Sequence, residues 1–158
     1  MKLFPRCQFI HRAFFMRHIL NIYGPFLGAG VKVELLADDY SYAKVCLKWR
    51  FYSRNYVGTQ FGGSIYSMTD PFYVLLLINR LGRDYIVWDK SAQIDYIKPG
   101  KGSLYAEFNV SETLIKEIQE KTQDGEKYLP NFTTEIIDAS NQLIAKVNKT
   151  IYIRKKSS

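Results

Sequence analysis

The sequence predicts an α+β domain in which one antiparallel sheet wraps a single long helix. Three observations carry this expectation. Ser64 to Leu81 is an apolar stretch too long for one strand, and Gly82 closes it as a helix stop. Segments of alternating apolar and polar residues lie on both sides of it, two before and about four after. A helix that is hydrophobic nearly all round must be covered on most of its circumference, and only a curved sheet does that.

Each element has its own signal. Phe9, Ile10, Phe14, Ile19 and Ile22 form an amphipathic pattern that predicts a helix over 8–22, ended by Gly24-Pro25. Val31, Val33 and Leu35 alternate with Lys32 and Glu34, then Ala43, Val45, Leu47, Trp49 and Phe51 alternate with Lys44, Cys46, Lys48 and Arg50. With Asp38-Asp39 as the turn, these two runs make a hairpin with one face on a core. After the long helix come strands over 86–97, 104–110, 132–137 and 143–153, punctuated by the turn-forming stretches 98–102 and 138–141. Leu114, Ile115 and Ile118 mark a short solvated helix over 111–122. This order describes a hotdog fold: one domain over 1–158, with a helical extension at 1–29 and the hotdog core at 30–155. Sheet edges in such folds commonly pair with a second subunit, so a homodimer or tetramer is expected.

Composition narrows the function classes. At 158 residues, 47% hydrophobic and 23% charged, the chain can bury a core without disulfides or a structural metal. Ile19 to Val31, its longest uncharged apolar stretch, is shorter than the roughly 20 residues of a membrane span. Arg6, His11, Arg12 and Arg17 interrupt any signal-peptide core, so a cytoplasmic protein is expected. Cys7 and Cys46 are isolated, and His11 and His18 stand seven apart, too far on a helix to share an ion. The net charge of +7 belongs mostly to residues 1–54, where nine Lys/Arg face three Asp/Glu. Such a field suits RNA, an anionic membrane surface or a phosphate-rich ligand such as coenzyme A, and equally a solvated face without a ligand. No nucleic-acid motif accompanies it.

The chemistry-bearing segment runs from Asn55 through Gly58, Phe61, Gly62 and Gly63 to Asp70. It resembles the signature of hotdog thioesterases of the phenylacetyl-CoA and related acyl-CoA type: an Asn, a Gly three later, His-Gly-Gly, then an acidic residue. Asn55 to Asp70 is fifteen positions and Gly62 to Asp70 is eight, as in that family. The resemblance covers roughly residues 31–153. The runs 61–73, Trp88-Asp89-Lys90 and 98–102 look more closely like an uncharacterised bacterial branch of thioesterase-like hotdog proteins.

The resemblance implies hydrolysis of an acyl-CoA or related thioester, with coenzyme A only as part of the substrate and with no other cofactor or metal. Asp70 is then the base or nucleophile, and Asn55 positions the water or the thioester oxygen. Elementary chemistry agrees: hydrolysis needs a base and donors aimed at the oxygen that becomes negative, and the free amides at a helix start, Gly62 and Gly63, are such donors. Phe61 stands where the family has His, which makes the acyl site more apolar and leaves a non-catalytic acyl-thioester binder as the alternative. Asp70 before Pro71 also reads as a helix cap. Asp89 and Lys90 fall where related enzymes place a polar residue against the site, and on a strand only one of them can face the helix. The alternative for this pair is surface charge that protects a sheet edge. In the N-terminal helix, Phe9, Phe14, Phe15 and Met16 could cover an acyl tunnel while Arg6, Arg12 and Arg17 meet phosphates; simple packing on the sheet is the other reading.

Overall fold

Residues 13–156 are described in the computed structural model. Helices α1 (Ala13–Ile22) and α2 (Gly24–Ala29) precede strands β1 (Val31–Leu36) and β2 (Tyr42–Leu47). Helices α3 (Gly62–Ser67) and α4 (Phe72–Leu81) follow, then β3 (Tyr85–Tyr96), β4 (Leu104–Asn109), α5 (Glu112–Lys121), β5 (Lys127–Tyr128), β6 (Asn131–Asp138) and β7 (Leu143–Lys155). The strands form one antiparallel sheet in the order β1-β2-β4-β6-β7-β3, with β5 paired to β7. This is the expected hotdog arrangement. Among the described residues no helix is long and apolar enough to cross a membrane.

Alternation explains the sheet's inner face. Val45, Leu47, Leu104, Ala106, Phe108, Ile136, Val147, Ile151 and Ile153 are buried, and they close over Met68, Phe72, Leu76 and Leu77 of the central helical segment. Phe72 stacks on Phe108 with ring centroids 4.9 Å apart, fixing the start of α4 against the sheet. Ser111 caps α5 as its side chain accepts from the Leu114 amide.

Two expectations are corrected. The single helix over 64–81 is two helices, because the chain leaves α3 after Ser67 and re-enters at Phe72. Pro71 lacks an amide hydrogen and disfavours helical backbone in the residue before it, so the ladder breaks there; it resumes when the Leu75 amide donates to the Pro71 carbonyl. The second hairpin strand stops at Leu47 and does not reach Phe51. Its partner begins at Val31, opposite Leu47, and beyond the Lys48–Gly30 hydrogen bond there is no strand left to pair with.

The N-terminal helix is described only from Ala13, so Arg6, Phe9, Ile10, His11 and Arg12 lie outside the described residues. Its visible part guards the β1 edge. Asn21 exchanges two hydrogen bonds with the Val33 main chain, at 2.7 and 3.1 Å, and Arg17 donates to the Glu34 carbonyl at 3.0 Å. Met16 and Leu20 pack on the core, whereas Phe14 and Phe15 face outward. The other sheet edge is β3.

Candidate active site

The first half of the site forms where the loop after β2 meets α3. Asn55 ties this loop together: its Nδ2 donates to Thr59 Oγ1 at 2.8 Å, its Oδ1 accepts from the Thr59 amide at 3.0 Å, and its own amide donates to the Thr59 carbonyl at 2.8 Å. Gln60 is buried and bridges to the Lys48 and Gly102 carbonyls through Nε2, leaving its Oε1 without a partner. A cleft of about 390 Å³ opens here, lined by Asn55, Gln60, Gly62, Tyr96, Lys98 and Pro99.

Helix α3 begins at the two glycines for steric reasons. A Cβ on Gly62 would stand 3.0 Å from Tyr96 Oη, and one on Gly63 would stand 2.4 Å from the Phe61 ring. Tyr96 Oη also donates to the Gly62 carbonyl at 2.9 Å, tethering the helix start to β3. The Ser64 and Ile65 amides both donate to the Phe61 carbonyl, so Gly62 and Gly63 are the helix-start amides ahead of the intrahelical ladder. Phe61 is half exposed over Gly63.

The second half lies at the break between α3 and α4, and it is charged. Asp70 sits in the break with its side chain 56% exposed. It does not cap α4, whose first turn has no side-chain cap hydrogen bond. Below it is Lys149 of β7, only 2% exposed, with Nζ 2.9 Å from Asp89 Oδ2 and 3.6 Å from Asp70 Oδ1. The same Nζ donates to the Asp70 carbonyl and lies 5.6 Å from the centre of the Tyr66 ring. Burial, and then the negative charges of Asp70 and Asp89, push the Tyr66 hydroxyl up. Asp89 Oδ1 is buried and has no hydrogen-bond partner.

The structure separates the Asp89 and Lys90 pair. Asp89 lies opposite Ile151 and faces inward with it, while Lys90 is exposed as the extra residue of a β-bulge between Asp89 and Ser91. Lys90 therefore points away from the other site residues. Lys149 and Tyr66 were missed in the sequence reading. The signal for Lys149 was present, since it occupies the inward phase of β7 with Val147, Ile151 and Ile153. Among the described residues no group of three or more His, Cys, Asp or Glu side chains is placed to hold a metal ion.

Within one chain the two halves do not converge. Eight residues of near-helical chain between Gly62 and Asp70 span about 12 Å.

Similar folds have been solved. A protein of unknown function from Pseudomonas aeruginosa, described as a probable thioesterase, superposes with a TM-score of 0.78 at 14% identity, covering 89% of this chain and 94% of its own. A thioesterase from Haemophilus influenzae gives 0.66 at 10% identity, with 92% of each chain covered. The PaaI protein of the phenylacetic acid degradation operon of E. coli gives 0.62 at 14% identity, covering 94% of this chain and 96% of its own. At such identities the likeness establishes the hotdog fold. None of the curated proteins matches in sequence. A family model does match, over residues 11–153, and the chain belongs to that family, described as "Domain of unknown function (DUF4442)".

Proposed function

We propose that the protein hydrolyses an acyl-CoA or a related acyl thioester. The observation that carries this reading is the Asp70 carboxylate, half exposed at a helix break and supported from beneath by a buried lysine, in a fold shared with thioesterases. Asp70 either takes a proton from water as the water attacks the thioester carbon, or attacks that carbon itself and is released by water in a second step. In both routes the carbon–sulfur bond breaks and the sulfur leaves as the coenzyme A thiol. The Gly62 and Gly63 amides stabilise the oxygen that becomes negative.

Because those amides and Asp70 of one chain stand too far apart to touch one carbonyl, the working site takes Asp70 from one protomer and the glycine loop from another. The β3 edge provides the surface for such a homodimer, and the cleft beside Asn55 receives the substrate next to it. Asn55 then acts by holding the loop, because its side-chain amide is engaged with Thr59. Phe61 and Gly63 form an apolar lip for the acyl group, and Asp89 faces the reacting centre.

The test is thiol release from a panel of phenylacetyl-, hexanoyl- and palmitoyl-CoA. Turnover of at least one supports hydrolysis. Saturable binding of these compounds without any thiol release would favour the second reading, an acyl-thioester binder, which Phe61 in place of the family's His motivates.

A further inference from the structure

We propose that Lys149 is a positioning residue of this site: through one buried ammonium it fixes the Asp70 main chain at the helix break and holds Asp70 and Asp89 in a single charged cluster. The inference rests on the hydrolytic reading above and adds a residue on β7 to it.

The ammonium makes two hydrogen bonds and one further ion pair. One goes to the Asp70 carbonyl, which the interruption at Pro71 leaves without a helical donor, and one to Asp89 Oδ2 at 2.9 Å. Asp70 Oδ1 lies 3.6 Å from the same nitrogen as an ion-pair partner, and the Tyr66 ring centre lies 5.6 Å away. A lysine 2% exposed in the apolar phase of a strand is costly unless it is paired, and here two carboxylates pair it. The cluster carries one positive and two negative charges, so Lys149 also keeps the carboxylates from repelling each other out of register. Asp89 Oδ1, buried and unpartnered, remains a free acceptor once Oδ2 is engaged. An apolar residue at 149 would satisfy packing but none of these atoms.

The experiment compares Lys149→Met, Lys149→Arg and Lys149→Met combined with Asp89→Asn in the full chain. It uses the thioester of the panel that the wild-type protein turns over fastest, with circular dichroism and thermal melting on every variant. Lys149→Met should lower kcat about 100-fold with KM little changed, the signature of a misplaced reacting group. Lys149→Arg should recover part of that loss because it retains the charge and donors. The double variant removes one of the two carboxylate charges and keeps the comparison usable if Lys149→Met alone does not fold; set against Asp89→Asn alone, it should show a further kcat loss. A folded Lys149→Met or double variant with wild-type kcat would overturn the inference while leaving the hydrolytic reading standing. Absence of turnover in the wild-type protein would overturn that reading, and this inference with it.

Discussion

The two ends of the central helical segment are built from different materials. At the Gly62 end every tie is neutral: Asn55 to Thr59, Gln60 to the Lys48 and Gly102 carbonyls, Tyr96 to Gly62. At the Asp70 end the ties are ionic, and they converge on one buried lysine. The neutral end offers backbone donors and a cleft, as binding and oxyanion stabilisation require; the ionic end offers a carboxylate, as activating water requires. The contrast teaches that the two ends are held by different forces, and in the proposed reaction they act as complementary half-sites.

The largest expected effect comes from removing the charge at the ionic end. Asp70→Asn keeps the shape, so kcat for thioester hydrolysis should fall roughly 10²–10⁴-fold, as for loss of a general base. Its melting temperature should change little, because the carboxylate is half exposed, does not cap α4, and leaves the Lys149–Asp89 pair intact. Steady-state kinetics and a melt on the same preparation check both; wild-type turnover would erase the distinction between the ends.

Next comes the neutral end. Gly62→Ala pushes a methyl against Tyr96 Oη, 3.0 Å away, and displaces the tether that aims the helix start. Turnover should drop roughly tenfold, since oxyanion donors work only when held in place. Asn55→Ala removes two side-chain hydrogen bonds to Thr59, for a stability loss of about 1–2 kcal/mol measurable by denaturant titration. Its kinetic effect should lie mainly in KM. The smallest effect belongs to Lys90→Ser: this exposed bulge residue lies outside both ends, and hydrolysis at moderate salt should not change.

How far these features were legible differs by element. The strands were readable because alternation is set by the pleat, and β4, β6 and β7 begin and end within two residues of expectation. The helix break is legible only as the alternative in which Asp70 caps a helix starting at Pro71, because the apolar run continues across it and hydrophobicity alone does not register a missing amide. The glycine loop and Asp70 stood out through their resemblance to the hotdog thioesterase signature. Lys149 did not, since a single lysine in a strand reads as surface until its phase is checked against Val147 and Ile151. Asp89 and Lys90 could not be assigned a direction, because the bulge that exposes Lys90 depends on pairing with β7. The reach of α1 to the β1 edge through Asn21 and Arg17 is likewise a tertiary feature with no local signature.

The central claim, that Asp70 of one protomer works with the glycine loop of another, is tested most directly by mixing two defective chains. Asp70→Asn and Gly62→Ala are co-refolded at equal concentration and assayed for thiol release against each variant alone. In a two-fold dimer with random pairing, half the molecules are mixed, and each mixed dimer carries one site with both halves intact. Turnover should recover to about a quarter of the wild-type value, well above the mean of the two separate variants. Activity that stays at that mean, while mixed dimers are shown to form, would contradict a shared site and return the chemistry to a single chain.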